Sequence, residues 1–200
     1  MWEVEPVQLV SDKHMVIVGY GDIGAACAKV AKLGFGVKVT GVKRDPFTVP
    51  DEARSYCDEI VGLDQYERVI KEADFVVGVL PRVVGVTDDF FSTSSTFDKM
   101  KNSAVFMNIG RGTTVNEEDL IDALNSKKIA GAVLDVFKYE PLSPSSGLWD
   151  CENVLMTPHC ADQDDKFLYR SFEILAINLE NWVTGGKSKL VNVTDKKKGY

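Results

Sequence analysis

Short, unbroken apolar runs alternate along this chain with longer runs whose apolar positions recur every three to four residues. Residues 14–19 read HMVIVG, an apolar run without polar alternation, as in a strand buried on both faces. Residues 23–33 follow with Ala, Cys, Ala, Val, Ala and Leu at helical spacing, and Gly34 and Gly36 stop them. The same grammar predicts strands at 37–42, 58–61, 75–80, 104–109, 129–136 and 154–156. Between them it predicts a polar helix at 64–72, a short helix at 96–99 inside the polar segment 92–103, and a helix at 116–126. The last of these has an acidic first turn and lysines at its end, which suits the helix dipole. A Pro/Ser/Gly loop at 141–147 and a long helix at 162–183 complete the pattern. Strands separated by helices imply right-handed crossovers, hence a parallel sheet covered on both faces. The expected fold class is α/β, a doubly wound parallel sheet in three layers.

Composition narrows the function more than the fold. The formal net charge is −7 and the pI about 4.9, so the chain has no field to gather nucleic acid or an anionic membrane surface. No apolar run approaches the roughly 20 residues that span a bilayer. The start, MWEVE, has no signal-peptide pattern, and a cytoplasmic location is expected. Cys27, Cys57, Cys151 and Cys160 form no C-x-x-C pair and the chain has two histidines, so no metal site is expected. The run Lys196-Lys197-Lys198 reads as part of a solvated tail.

Residues 19–24 read GYGDIG between the first strand and the first helix, the context that a dinucleotide-binding turn needs. Gly19 permits the tight turn, Gly21 lets a diphosphate approach the backbone, and Gly24 lets helix and strand pack closely. Asp22 and Ile23 would add amides at the positive end of that helix. This is a Rossmann-type signature. Such sites often carry an acid at the end of the second strand for the adenosine ribose; here residues 40–44 read TGVKR. Lys43 and Arg44 would attract a 2′-phosphate that a carboxylate repels, so NADP(H) is the expected cofactor, with NAD(H) possible. The plainer alternative is a pair of solvated strand-end charges.

Three further segments each follow a buried strand: FMNIGRGT at 106–113, LDVFKYEP at 134–141 and LMTPHCA at 155–161. They contribute Arg111, Glu140 and His159 at the carboxyl ends of strands, where open α/β folds hold ligands. With GYGDIG, VLP at 79–81, NIGRG at 108–112 and TPH at 157–159, in that order, the chain resembles the D-isomer-specific 2-hydroxyacid dehydrogenases from residue 2 to about 193. The resemblance places Arg111, Glu140 and His159 at the catalytic positions. Arg111 would hold the substrate carboxylate and the developing oxyanion, and His159 would exchange the proton. Glu140 would orient the imidazole and stabilise its protonated form. Leu80 and Pro81 would wall the nicotinamide. The Ile109 carbonyl and the Asp135 carboxylate would hold its carboxamide, with a strand-end cap as the alternative for Asp135. Cys160, beside His159, is not read as a nucleophile, since the chemistry needs no covalent step. Arg82 departs from the small or polar residue usual after the Leu-Pro pair, and its role stays open between substrate and cofactor phosphate.

The resemblance also implies limits. Family members run well over 300 residues, and much of their first hundred builds a substrate-binding domain. Residues 1–184 are therefore expected to form the dinucleotide-binding domain, with 185–200 a tail that would pack on a missing N-terminal domain and that is expected to be loose from 190 onward. An expressed fragment, a truncated gene model and a naturally reduced protein all fit. The implied substrate is a small 2-oxo acid such as glyoxylate or hydroxypyruvate, and the implied assembly a homodimer through the cofactor domain. A non-enzymatic dinucleotide-sensing or partner-binding module, as in the family's corepressor branch, is the competing reading.

Overall fold

The computed structural model describes residues 7–194; the acidic start and the lysine run at 196–198 lie outside them. Seven strands form one wholly parallel sheet in the order β3-β2-β1-β4-β5-β6-β7. They are β1 (His14–Val18), β2 (Lys38–Val42), β3 (Glu59–Val61), β4 (Phe75–Gly78), β5 (Val105–Asn108), β6 (Gly131–Leu134) and β7 (Val154–Met156). The order reverses between β1 and β4, and this switch point is where doubly wound sheets open a crevice at their carboxyl edge. Alternation along β1 divides the core. Val16 and Val18 face a cluster with Val76, Phe106, Phe91, Phe97 and Leu120, and Ile17 faces the other side with Val39, Val77, Ala28 and Ala31.

The helices are α1 (Asp22–Phe35), α2 (Asp51–Arg54), α3 (Tyr66–Glu72), α4 (Glu117–Asn125) and α5 (Phe167–Gly185). Gly36, at φ 68°, caps α1. The polar helix expected at 64–72 begins with a 3-10 turn at Leu63–Gln65 before α3, and α2 carried no periodic signal because it is a single turn. The expectation of lysines in the last turn of α4 is corrected. The helix stops at Asn125, Ser126 caps it, and Lys127 already lies at φ 55°.

The long helix expected from 162 starts five residues later. Asp164 is the cause: its Oδ1 accepts the Lys166 N–H at 2.6 Å, a local side-chain bond that competes with the helical ladder. Among its described residues α5 has none buried, and Leu168, Phe172, Leu175 and Leu179 form one exposed apolar stripe. The segment after it is described as far as Thr194. A 3-10 turn covers Gly186–Lys189, and Asn178 Oδ1 and Nδ2 bond both the N–H (2.9 Å) and the carbonyl (3.1 Å) of Val191.

His14 opens β1 at the sheet edge opposite the crevice. It is 7% exposed, its Nε2 lies 2.9 Å from Thr40 Oγ1, and its N–H donates to Asp74 Oδ2 at 2.9 Å. Burial and then the Lys38 charge push its pKa below the usual 6.5, against the Glu72 backbone bond and the Glu72 and Asp74 charges. The unfolded chain therefore binds that proton more readily, and stability falls as pH drops through about 6.5. The urea midpoint at pH 5.5 is expected below that at pH 7.5, with a shallower difference in His14→Gln. An equal difference in the two proteins would refute this.

Candidate active site

The carboxyl edge of the sheet gathers the predicted residues. Gly19, at φ 102°, leaves β1 so tightly that a Cβ there would lie 2.6 Å from the Val79 carbonyl oxygen. A Cβ on Gly24 would lie 2.5 Å from the Gly19 oxygen, so α1 can approach only with glycine at that position. Gly21 differs: a Cβ there would meet nothing within 4 Å. The protein itself does not require that glycine, whereas a group approaching the backbone would. No side chain caps the α1 N-terminus, where the amides of Asp22, Ile23 and Gly24 begin the helix. The turn therefore fits a diphosphate. Tyr20 points the other way, its ring packed on Gly41 and its hydroxyl donating to the Ala53 carbonyl at 2.8 Å.

Lys43 and Arg44 follow β2 directly, half-buried and exposed respectively, with the Lys43 N–H donating to the Val61 carbonyl at 3.0 Å. Asp45, an acid the sequence reading passed over, is spent locally. Its Oδ1 accepts the Phe47 N–H at 3.1 Å and caps the 3-10 turn Pro46–Thr48. Arg54, also unforeseen, leans on the same turn through the Pro46 carbonyl at 2.7 Å.

After β4, Leu80 and Pro81 enter a loop that Thr87 holds shut. The Thr87 hydroxyl donates to the Pro81 carbonyl at 2.8 Å and accepts the Val83 N–H at 2.7 Å. Arg82 is exposed, with Nε 3.9 Å from Asp88 of its own loop. After β5, Ile109 donates its N–H to the Gly78 carbonyl at 3.1 Å. Asn108 then fixes the arginine turn, its Oδ1 accepting the Gly110 N–H and its Nδ2 donating to the Arg111 carbonyl, both at 3.1 Å. The Arg111 guanidinium is exposed, with Nη1 donating to the Gly110 carbonyl at 2.7 Å.

Glu140 and His159 are together. His159 Nδ1 lies 2.7 Å from Glu140 Oε2, and the Phe137 N–H donates to Glu140 Oε1 at 2.9 Å. Partial burial opposes the Glu140 charge. The hydrogen bonds from His159 and Phe137, then the charges of His159 and Arg111, outweigh it and hold the carboxyl below the ordinary glutamate range. His159 sits at φ 49°, a region that non-glycine residues enter mainly when held there. The holder is Asp135. Its carboxylate accepts from Thr157 Oγ1 (2.6 Å), the Cys160 N–H (3.0 Å) and the Ala161 N–H (3.1 Å), on both sides of His159. Burial opposes ionisation of Asp135 as well, and these bonds lower its pKa in spite of it. Of the two roles left open for Asp135, the strand-end anchor is the one its contacts display; the carboxamide role remains an expectation. Two shallow hollows on the surface, one beside Thr93 and Asp122 and one beside Tyr139 and Ser146, include none of Arg111, Glu140 and His159. Among the described residues no helix is long and apolar enough to cross a membrane.

The chain is similar in sequence and in fold to known proteins. Residues 2–161 match the protein-family profile "D-isomer specific 2-hydroxyacid dehydrogenase, NAD binding domain". A probable 2-ketogluconate reductase of Dictyostelium discoideum is 38% identical over 180 residues, 90% of this chain and 52% of the relative. A glyoxylate/hydroxypyruvate reductase B of Klebsiella pneumoniae is 36% identical over 182 residues, 90% of this chain and 54% of the relative. The chain thus spans about half the length of these curated relatives. Among solved structures, an NADPH-dependent glyoxylate/hydroxypyruvate reductase from Sinorhizobium meliloti in complex with NADP and sulfate superposes with a TM-score of 0.85. That structure is 31% identical, and the match covers 100% of this chain and 60% of the reductase. The chain belongs to the D-isomer-specific 2-hydroxyacid dehydrogenases and carries their NAD-binding domain.

Proposed function

We propose that this chain binds NADP(H) in preference to NAD(H) and serves an enzyme that interconverts a small 2-oxo acid, of glyoxylate or hydroxypyruvate size, and its 2-hydroxy acid. The observation that carries this reading is the Glu140–His159 pair at 2.7 Å, on the same sheet edge as Arg111 and the glycine turn. When bound, the nicotinamide supplies or takes the hydride at the substrate's C2. The amides of Asp22, Ile23 and Gly24 would receive the diphosphate, and Lys43 and Arg44 the 2′-phosphate. Leu80, Pro81 and the Ile109 carbonyl would border the nicotinamide. Arg111 would grip the substrate carboxylate with its planar fork of donors. With Nδ1 committed to Glu140, His159 keeps Nε2 to deliver a proton to the C2 oxygen in reduction and to take it back in oxidation.

The S. meliloti relative is described as NADPH-dependent and was solved with NADP, which supports the cofactor preference. Openness of the site limits turnover. The Glu140 and His159 side chains are 36% and 42% exposed, and hydride transfer favours a site closed to water. These 200 residues are therefore expected to bind cofactor with little turnover by themselves. Fluorescence titration of the chain with NADPH and with NADH tests the reading, followed by glyoxylate or hydroxypyruvate under steady-state conditions. An NADPH dissociation constant at least about tenfold lower is expected from one or two charge-assisted bonds. Tighter binding of NADH overturns the preference, and robust turnover overturns the need for cover.

A further inference from the structure

The first turn of α4 carries three carboxylates, Glu117, Glu118 and Asp119. Acids in that position commonly do no more than offset the partial positive charge of the helix end. Glu118 is exposed and fits that description. The other two reach off the helix. Asp119 Oδ2 accepts the Thr93 N–H at 2.7 Å, and Glu117 Oε1 accepts the Lys138 N–H at 2.5 Å.

The second bond lies one peptide from the candidate active site. Phe137 and Lys138 present consecutive N–H groups, and each goes to a carboxylate: Phe137 to Glu140, Lys138 to Glu117. Gly112 closes the same peptide from the arginine side, where a Cβ would lie 1.9 Å from the Phe137 carbonyl carbon. Lys138 Nζ ties the segment to Asp89, in the loop after β4, at 3.1 Å. The turn that presents Glu140 Oε2 to His159 is therefore held through Lys138, and the backbone grip on Lys138 comes from Glu117.

We propose that Glu117 is a positioning residue for the Glu140–His159 pair, acting through the Lys138 peptide and touching no substrate. This rests on reading Glu140 and His159 as the working pair. The test needs neither cofactor nor substrate, so it fails or succeeds independently of the titrations above. The ¹⁵N-labelled chain has two histidines, and His14, buried at the opposite edge of the sheet, is the internal control. Glu117→Ala is expected to shift or abolish the His159 Nδ1–H proton resonance while the His14 signals stay in place. Glu117→Gln keeps an Oε1 acceptor and is expected to restore the resonance, and Glu118→Ala is expected to leave both histidines unchanged. An unmoved His159 resonance in Glu117→Ala overturns the proposal. So does joint collapse of both histidines' signals in the Ala and Gln variants, which would make Glu117 a general stabiliser.

Discussion

Gly112→Ala is expected to lower the unfolding free energy by about 3 kcal/mol, the upper end of the usual range for overpacking. The new methyl group would stand 1.9 Å from the Phe137 carbonyl carbon and 2.0 Å from its oxygen. Those are backbone atoms, so no side-chain rotation relieves the clash. The arginine turn and the 137–140 turn must separate, and Arg111 moves with one and Glu140 with the other. Gly21→Ala is the matched control. Its Cβ meets nothing within 4 Å, so its urea midpoint is expected to stay near wild type while cofactor affinity falls. Equal midpoints for the Gly112 and Gly21 variants would show that the two turns are not locked together.

The second large effect concerns cofactor choice. The double variant Lys43→Ala/Arg44→Ala is expected to raise the NADPH dissociation constant about 100-fold and to change that for NADH by less than about threefold. Charge-assisted bonds contribute roughly 1.5–3 kcal/mol each when well formed. Arg44 is exposed, so water screens part of that sum, and about 2.7 kcal/mol for the pair corresponds to the 100-fold change. Parallel loss for both nucleotides would mean that the two cations help fold the β2 end without reading the 2′-phosphate. Spending Asp45 on the Pro46–Thr48 turn is consistent with the expected outcome, because its charge is engaged by the Phe47 amide.

Much of this was legible from residue order because the sheet is buried on both faces. Strands such as β1 and β4 then read as unbroken apolar runs, and the glycine turn between β1 and α1 has its own spacing. The Glu140–His159 contact was expected only through the resemblance to the 2-hydroxyacid dehydrogenases, since the two lie 19 positions apart with a crossing between strands. What stayed hidden depends on side chains that reach across the fold. Nothing local marks Thr87 as the clasp of the Leu80–Pro81 loop, Gly112 as the neighbour of Phe137, or Glu117 as an acceptor for Lys138. Asp164 hid the start of α5 for the opposite reason, because a two-residue hydrogen bond overrode a periodicity that extends across it.

The grip of Asp135 on both flanks of His159 has an entropic consequence. A catalytic side chain on a mobile loop must find its aim afresh for each substrate, and that search lowers the fraction of productive encounters. Here the left-handed backbone at His159 and the anchors at Thr157, Cys160 and Ala161 settle the aim while the chain folds. If His159 plays the proposed role, the imidazole would meet its substrate with little orientational freedom left to lose.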